Sequence, residues 1–408
     1  MARYAVLSLH TSPLAQPGTG DGGGMNVYVR ELAAALGRLG HDVDVFTRRE
    51  DAVSPQVVDV EPGVRLIRAA AGPSEPVAKE DLAAHTAAFT DSVLAFMASA
   101  PTPYDAVHAN YWLSGVAGHA IKHALDLPLL VTFHTAERIK SATSGEALTS
   151  RSAEEAAIVA CADAVLASCE VEADQLTSLL GVPAERVALV PLGVDHAFFG
   201  PGDRDQARRA LGFAADGPLL LFCGRLQSLK GADLALATLA ELVRRGGAHR
   251  LVVVGGPSGS GGARFEAALR EHAGEPLLAG RVEFVAPIPH ELLSTYYRAA
   301  DVCVVPSRTE SFGLVALESS ACGTPVVAAD VGGLTALVDD GVNGLLVAGR
   351  DPSRWADAIE WVVADPLRSM RMSTGAVLRA QSFTWRHAAR RFEDVARVRS
   401  SSRLVSCA

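Results

Sequence analysis

The sequence predicts an α/β protein of two doubly wound domains, and three observations carry that expectation. Short apolar runs of strand type alternate with stretches of helical spacing along the whole chain. Most runs are apolar on both faces, as in parallel strands covered by helices on two sides. They fall into two sets around the polar, glycine- and proline-bearing stretch "VDHAFFGPGDRD" (194–205). A chain of 408 residues also exceeds one ordinary core, and two domains of about 200 residues each is the natural division.

In chain order, the first set reads "YAVLSL" (4–9), "VDVFT" (43–47), "VRLIRA" (64–69), "DAVHAN" (105–110), "LLVTFH" (129–134), "AVLAS" (164–168) and "VALVPLG" (187–193). The second set reads "LLLFCG" (219–224), "LVVVGG" (251–256), "VEFV" (282–285), "VCVVPS" (302–307), "PVVAA" (325–329) and "GLLV" (344–347). The expected domains are therefore 1–200 and 201–384. Residues 385–408 add a final amphipathic helix, "WRHAARRFEDVARV", expected to cross back to the first domain, and a polar tail expected to be mobile.

Composition narrows the function. Hydrophobic residues make up 49% and charged residues 20%, which is globular usage. The net charge of −9 argues against a dedicated nucleic-acid partner. No apolar stretch approaches the length of a membrane span, and "MARYAVLSLHTSP" has no long leader-type core, so a cytoplasmic protein is expected. The six cysteines show no CxxC and no histidine spacing paired with them, which suggests neither a zinc site nor a disulfide framework. Cys223 and Cys303 lie in apolar runs and read as buried thiols.

Doubly wound sheets bind ligands at the carboxyl ends of their strands, so the loops there are the candidates. The first strand leads through Gly22, Gly23 and Gly24 into a helix of about residues 25–39 that opens with Met25 and Asn26. This is not the dinucleotide GxGxxG pattern. It bares backbone N–H groups at a helix N-terminus, an anion site, although the triplet also suits a flexible turn. The strand "LLLFCG" runs into "RLQSLKG", where Arg225 and Lys230 either lie solvated or clamp a diphosphate. The most particular string is "PSRTESFGLVALESSACGTPVVAADVGG" (306–333). There Glu310 falls in a strand-end loop, a helix begins near Phe312 or Gly313, and Glu318 lies about two turns in. Both carboxylates can face one elongated ligand, with the Ser311–Leu314 amides suited to phosphate.

"ESFGLVALE" resembles the E-x7-E signature of retaining glycosyltransferases of family 4, whose GT-B fold has two Rossmann-like domains facing an inter-domain cleft. "SLHTSPLAQPGTGDGGGMNVYVREL", "AAGPSEPVAKEDL", "YWLSG", "GRLQSLKG" and "VVGGPSGSG" resemble, more narrowly, the MshA-like subfamily of mycothiol biosynthesis. That subfamily transfers N-acetylglucosamine from UDP-GlcNAc to 1D-myo-inositol 3-phosphate. The resemblance spans nearly the whole chain. It implies an EC 2.4 enzyme with an acceptor-binding first domain and a nucleotide-sugar-binding second domain. No metal or cofactor is implied beyond the UDP- or GDP-sugar co-substrate, and a homodimer is compatible with it.

The resemblance also implies site residues. Gly24 would approach the diphosphate through its backbone, Arg225 and Lys230 would hold the phosphates, and Glu318 would bind the ribose. Glu310, with Ser311, Phe312, Gly313 and Leu314, would contact the transferred sugar. On the acceptor side, Asn26 would contact the cyclitol, and Lys79, Tyr111, Thr135 and Arg151 would cradle the acceptor phosphate. His134 would sit near the donor sugar. The implied reaction retains configuration by front-face substitution, with the leaving phosphate taking the acceptor proton and Arg225 and Lys230 stabilising its charge.

Three departures stand out: Asn110 where the subfamily reads a second histidine, a shorter segment between His134 and Arg151, and "APIP" (286–289) near the base. They lie by the acceptor and nucleobase, not by the diphosphate. An alternative is therefore a natural-product paralogue, such as a lincosamide-type S-glycosyltransferase using a GDP-octose and ergothioneine. A nucleotide-sugar epimerase or a silent binding module belongs to another class; the intact E-x7-E, Arg225 and Lys230 weigh against both.

Overall fold

Runs of valine, leucine and alanine build two parallel sheets, because side chains buried on both faces leave no polar side for a solvated hairpin. The computed structural model describes residues 1–145, 147–213, 217–259 and 261–407. It divides into a first unit of Met1–Ala15, Gly24–Gly193 and Trp385–Ala408, and a second of Gln16–Gly23 and Val194–Thr384. The glycine-bearing loop from Gln16 to Gly23 thus groups with the second unit, although it emerges from the first.

The first sheet contains β1 (Arg3–Leu7), β2 (Asp42–Arg48), β3 (Val57–Glu61), β4 (Val64–Ala69), β5 (Ala106–Asn110), β6 (Leu129–Thr132), β7 (Ala164–Ala167) and β8 (Val187–Leu189). Their order is β3-β4-β2-β1-β5-β6-β7-β8. Every pair is parallel except β3 with β4. The second sheet contains β9 (Leu219–Cys223), β10 (Arg250–Val254), β11 (Val282–Val285), β12 (Val302–Val305), β13 (Val326–Ala329) and β14 (Gly344–Val347). It is wholly parallel, in the order β11-β10-β9-β12-β13-β14. Each apolar run read from the sequence lies on one of these strands. β3 was not among them: an edge hairpin partner with exposed and half-exposed side chains lacks the burial signature of the rest.

In the first sheet the strand order reverses between β1 and β5, and in the second between β9 and β12. These are the topological switch points, where the loops after neighbouring strands diverge and leave a crevice.

The helix Trp385–Ser400 belongs to the first unit and packs against the helix Gly24–Arg38. Its Phe392 is fully buried, edge-on to Tyr4 with ring centroids 5.3 Å apart, and Trp385 stands 6.1 Å from Tyr28. The segment that follows differs from the mobile tail its polar composition predicts. The Val405 N–H donates to Asp163 Oδ1 at 2.7 Å, and Cys407 forms a disulfide with Cys161. That pairing corrects the expectation of no disulfide; 246 residues separate the partners, so no local spacing announces it. Cys303 is a buried free thiol as expected, whereas Cys223 is only half-buried.

Truncating Phe392 empties a site lined by Tyr4 and His108. Phe392→Ala is expected to destabilise the first unit by about 3–5 kcal/mol. Thermal unfolding followed by circular dichroism should show the first transition moving down, while an exposed change on the same helix, Arg390→Ala, leaves it in place.

Candidate functional site

At the first switch point, Tyr111 opens the helix Tyr111–Leu125 directly after β5, with a φ of +72°. A non-glycine residue there costs on the order of 1–3 kcal/mol and is held only where its surroundings over-determine it. The surroundings are cationic. Arg151 Nη1 donates to the Tyr111 hydroxyl at 2.9 Å, and its guanidinium carbon is 4.7 Å from the ring centroid. Lys79 Nζ lies 4.8 Å from the same centroid. Arg151 also donates through Nη2 to the Thr135 carbonyl and through Nε to Glu155 Oε1 at 2.7 Å. Lys79, Tyr111, Thr135 and Arg151, from four separate stretches of sequence, therefore form one cluster. Its only buried carboxylate is Glu155, among the residues named in these contacts, and burial pushes that carboxyl upward while Arg151 pulls it down.

His134 follows β6, also with a left-handed backbone, at φ +58°. Its Nε2 lies 2.9 Å from Asn110 Oδ1, and Tyr28 meets its ring edge-on at 4.9 Å. Asn110 is thus a direct partner of His134. The Asn110 Nδ2 is buried without a hydrogen bond. Burial lowers the His134 pKa to about 3, and the same cause, reinforced by His134, lowers His108 to about 3. Both imidazoles are neutral at physiological pH. Asn26 is only 1% exposed, and its Nδ2 donates to Thr11 Oγ1 at 2.8 Å and to the Ser12 carbonyl at 2.6 Å. It braces the loop after β1, a role the reading as a ligand residue did not anticipate.

At the second switch point, Lys230 after β9 meets Glu310 after β12. Lys230 Nζ is 2.7 Å from Glu310 Oε2, which also accepts from Ser307 Oγ at 3.0 Å. The Gly333 N–H donates to the Glu310 carbonyl at 2.8 Å. Gly332 makes that approach possible: its φ is +49°, and a Cβ would fall 2.1 Å from the Glu310 carbonyl oxygen. Arg225 Nη1 donates to Ser258 Oγ at 3.3 Å, and Gly23 lies so near that a Cβ on it would sit 3.3 Å from Arg225 Nε. The glycine loop therefore lies against the Arg225 guanidinium, which a side chain at Gly23 would crowd.

The helix after Glu310 runs Leu314–Ala321, capped by Gly313 at φ +107°. It starts one or two residues later than its sequence suggests, so Glu318 stands about one turn in rather than two. Glu318 is 4% exposed, and both oxygens are engaged: His290 Nε2 donates to Oε1 at 2.6 Å and the Tyr297 hydroxyl to Oε2 at 2.8 Å. His290 and Tyr297, which hold the Glu318 carboxylate, are candidate site residues that sequence reading missed. They come from "IPHELLSTYY", which carries no recognisable pattern before the fold brings it under the helix.

The family described as "Glycosyl transferase 4-like domain" matches residues 23–193, and "Glycosyl transferases group 1" matches residues 203–378. The D-inositol 3-phosphate glycosyltransferase of Nocardia farcinica is 46% identical over 394 residues, covering 95% of this chain and 87% of that protein. The protein of the same name from Xylanimonas cellulosilytica is 45% identical over 405 residues, covering 96% of each. The chain belongs to glycosyltransferase family 4. Among solved structures, the glycosyltransferase resembles sucrose-phosphate synthase from Thermosynechococcus elongatus, with a TM-score of 0.89 and 34% identity over 98% of this chain and 99% of that one. Two parallel α/β sheets and this likeness make the fold GT-B. No described helix of the glycosyltransferase is long and apolar enough to cross a membrane.

The neutral histidines give the glycosyltransferase a pH signature. His108 and His134 ionise near 6.5 in an unfolded chain but only near 3 here, so the unfolded state binds more protons between those values. Their contribution to stability is complete above about pH 6.5 and is lost as pH falls, by up to roughly 1.4 kcal/mol per pH unit for each group. Urea unfolding at pH 7 and pH 5 should show a loss at pH 5 that His108→Gln reduces.

Proposed function

We propose that this glycosyltransferase moves N-acetylglucosamine from UDP-GlcNAc to D-inositol 3-phosphate, with retention of configuration. The observation that carries the acceptor is the grouping of Lys79 and Arg151 around Tyr111. Two cations at a strand-end crevice suit a phosphate monoester, and the named relatives act on an inositol 3-phosphate. Thr135 supplies a hydroxyl at the rim of the same cluster.

On the donor side, Arg225 and Lys230 are the groups to neutralise a diphosphate, each by charge-assisted bonds. Glu310 and the Ser311–Leu314 turn address the sugar, and Glu318 the ribose. Lys230 and Ser307 orient Glu310, and His290 and Tyr297 orient Glu318. Such preorganisation lowers the ordering cost when substrate arrives. The acceptor hydroxyl attacks the anomeric carbon from the face the diphosphate leaves, and the departing phosphate oxygen takes its proton. Arg225 and Lys230 stabilise the charge that grows there. His134, neutral, offers a hydrogen bond rather than a cation.

UDP release from UDP-GlcNAc by the purified protein should depend on added 1D-myo-inositol 3-phosphate; release indifferent to that acceptor would sink the reading. A parallel assay with GDP-sugars separates the donors. Lys79→Ala and Arg151→Ala should each raise the acceptor KM roughly 10- to 150-fold, the value of a charge-assisted bond of about 1.5–3 kcal/mol. Arg225→Ala and Lys230→Ala should instead lower kcat, by about 10²–10³. Steady-state kinetics with each substrate varied in turn distinguishes the two patterns.

A further inference from the structure

The helix Tyr111–Leu125 carries His119 and His123 four residues apart, so both imidazoles leave the same face one turn from each other. Their ring centroids are 5.0 Å apart. Two sulfurs from distant parts of the chain face them. One is Cys161, the last residue of the helix Arg151–Cys161; the other is Cys407. His119 Nε2 lies 3.1 Å from Cys407 Sγ, and His123 Nε2 lies 3.1 Å from both sulfurs. One donor atom from each residue falls within 4.8 Å of every other.

A buried ion pair sets the positions of both cysteines. Lys122 Nζ donates to Asp163 Oδ2 at 2.7 Å and to the Cys161 carbonyl at 2.7 Å. The other oxygen of Asp163 accepts from the Val405 N–H, two residues before Cys407. The segment is therefore docked by contacts that do not involve its sulfur.

A disulfide accounts for two sulfurs lying together but gives no work to two imidazoles. An uncharged disulfide sulfur is a poor partner for a ring nitrogen, and the exposed His123 could as well face water. A divalent cation would use all four groups. Two thiolates cancel its charge, and two neutral imidazoles complete a tetrahedron. A histidine pair with three residues between falls within the spacing of Cys2His2 sites. Zinc bonds of about 2.3 Å to sulfur and 2.0–2.1 Å to nitrogen place an imidazole nitrogen and a thiolate about 3.6 Å apart and two thiolates about 3.8 Å apart; the nitrogen–sulfur contacts of 3.1 Å here are somewhat shorter, and the two sulfurs part when the disulfide is reduced.

The geometry points to a structural site for a zinc-class divalent cation, formed by His119, His123 and the reduced thiols of Cys161 and Cys407. Borderline-soft N2S2 donors select zinc or cobalt over magnesium or calcium. Each cation bound displaces two thiol protons, one from each cysteine, and the disulfide is the competing state of the same sulfurs. The site would tie the segment after Ser400 to the ends of two helices. Those same helices begin with Tyr111 and Arg151.

The test uses the full chain, reduced with a phosphine, stripped with a chelator and confirmed by thiol titration to carry both thiols free. Cobalt titration should give one tetrahedral Co²⁺ per chain, with thiolate charge-transfer absorption, displaced stoichiometrically by Zn²⁺. Cys407→Ser and His123→Gln should each weaken binding by at least about tenfold, since even outer partners of a metal ligand are worth that much. Zinc should also protect the segment after Ser400 from proteolysis in the wild type and not in Cys407→Ser. Absence of binding by the reduced chain overturns the proposal. So does binding that both substitutions leave unchanged while circular dichroism shows them folded.

Discussion

Parallel strand pairing is the constraint on which both candidate sites depend. When neighbouring strands run the same way, all their carboxyl ends reach one edge of the sheet, and every loop leaving that edge can meet its neighbours. In the first unit this brings Tyr111 from the end of β5 to His134 and Thr135 from the end of β6, with Arg151 entering from the helix beyond. In the second it brings Lys230 after β9 to Glu310 after β12, eighty residues apart. The left-handed residues Tyr111 and His134 follow strands whose side chains are wholly buried. A rigid sheet can hold strain of that kind; a free loop would relax it.

The two sites answer different electrostatic problems. In the first unit Lys79 and Arg151 share one aromatic ring, and Glu155 balances only part of their charge. The surplus favours an anion. In the second, Lys230 and Glu310 neutralise one another, and Glu318 is enclosed by His290 and Tyr297. That arrangement fixes the geometry of both carboxylates. His134 and His108, kept neutral by burial, add polarity without charge.

Helices transmit these arrangements away from the sheet edge. The helices beginning with Tyr111 and Arg151 pack on one another and end beside Lys122, Asp163 and the cluster of two histidines and two cysteines. The closing helix, anchored by Phe392 and Trp385, carries the chain back to that same place. One unit thus holds a cationic cluster and a sulfur–imidazole cluster at opposite ends of shared helices.

Sequence alone determined the two parallel sheets, because doubly buried strands must be apolar throughout and each is written in contiguous residues. It also determined Glu310, Glu318, Arg225 and Lys230 as candidates, since their motifs are local and match a known family. The edge strand β3 escaped because it is not doubly buried. Tertiary structure alone decided that Asn26 braces a loop, that His290 and Tyr297 close around Glu318, and that Asn110 partners His134. It also brought Cys407 to Cys161. His119 and His123, four apart in "GHAIKHAL", were passed over because no cysteine lies near them in the sequence. The sulfurs were not legible, because contacts across hundreds of residues are set by packing, which leaves no periodic trace in the chain.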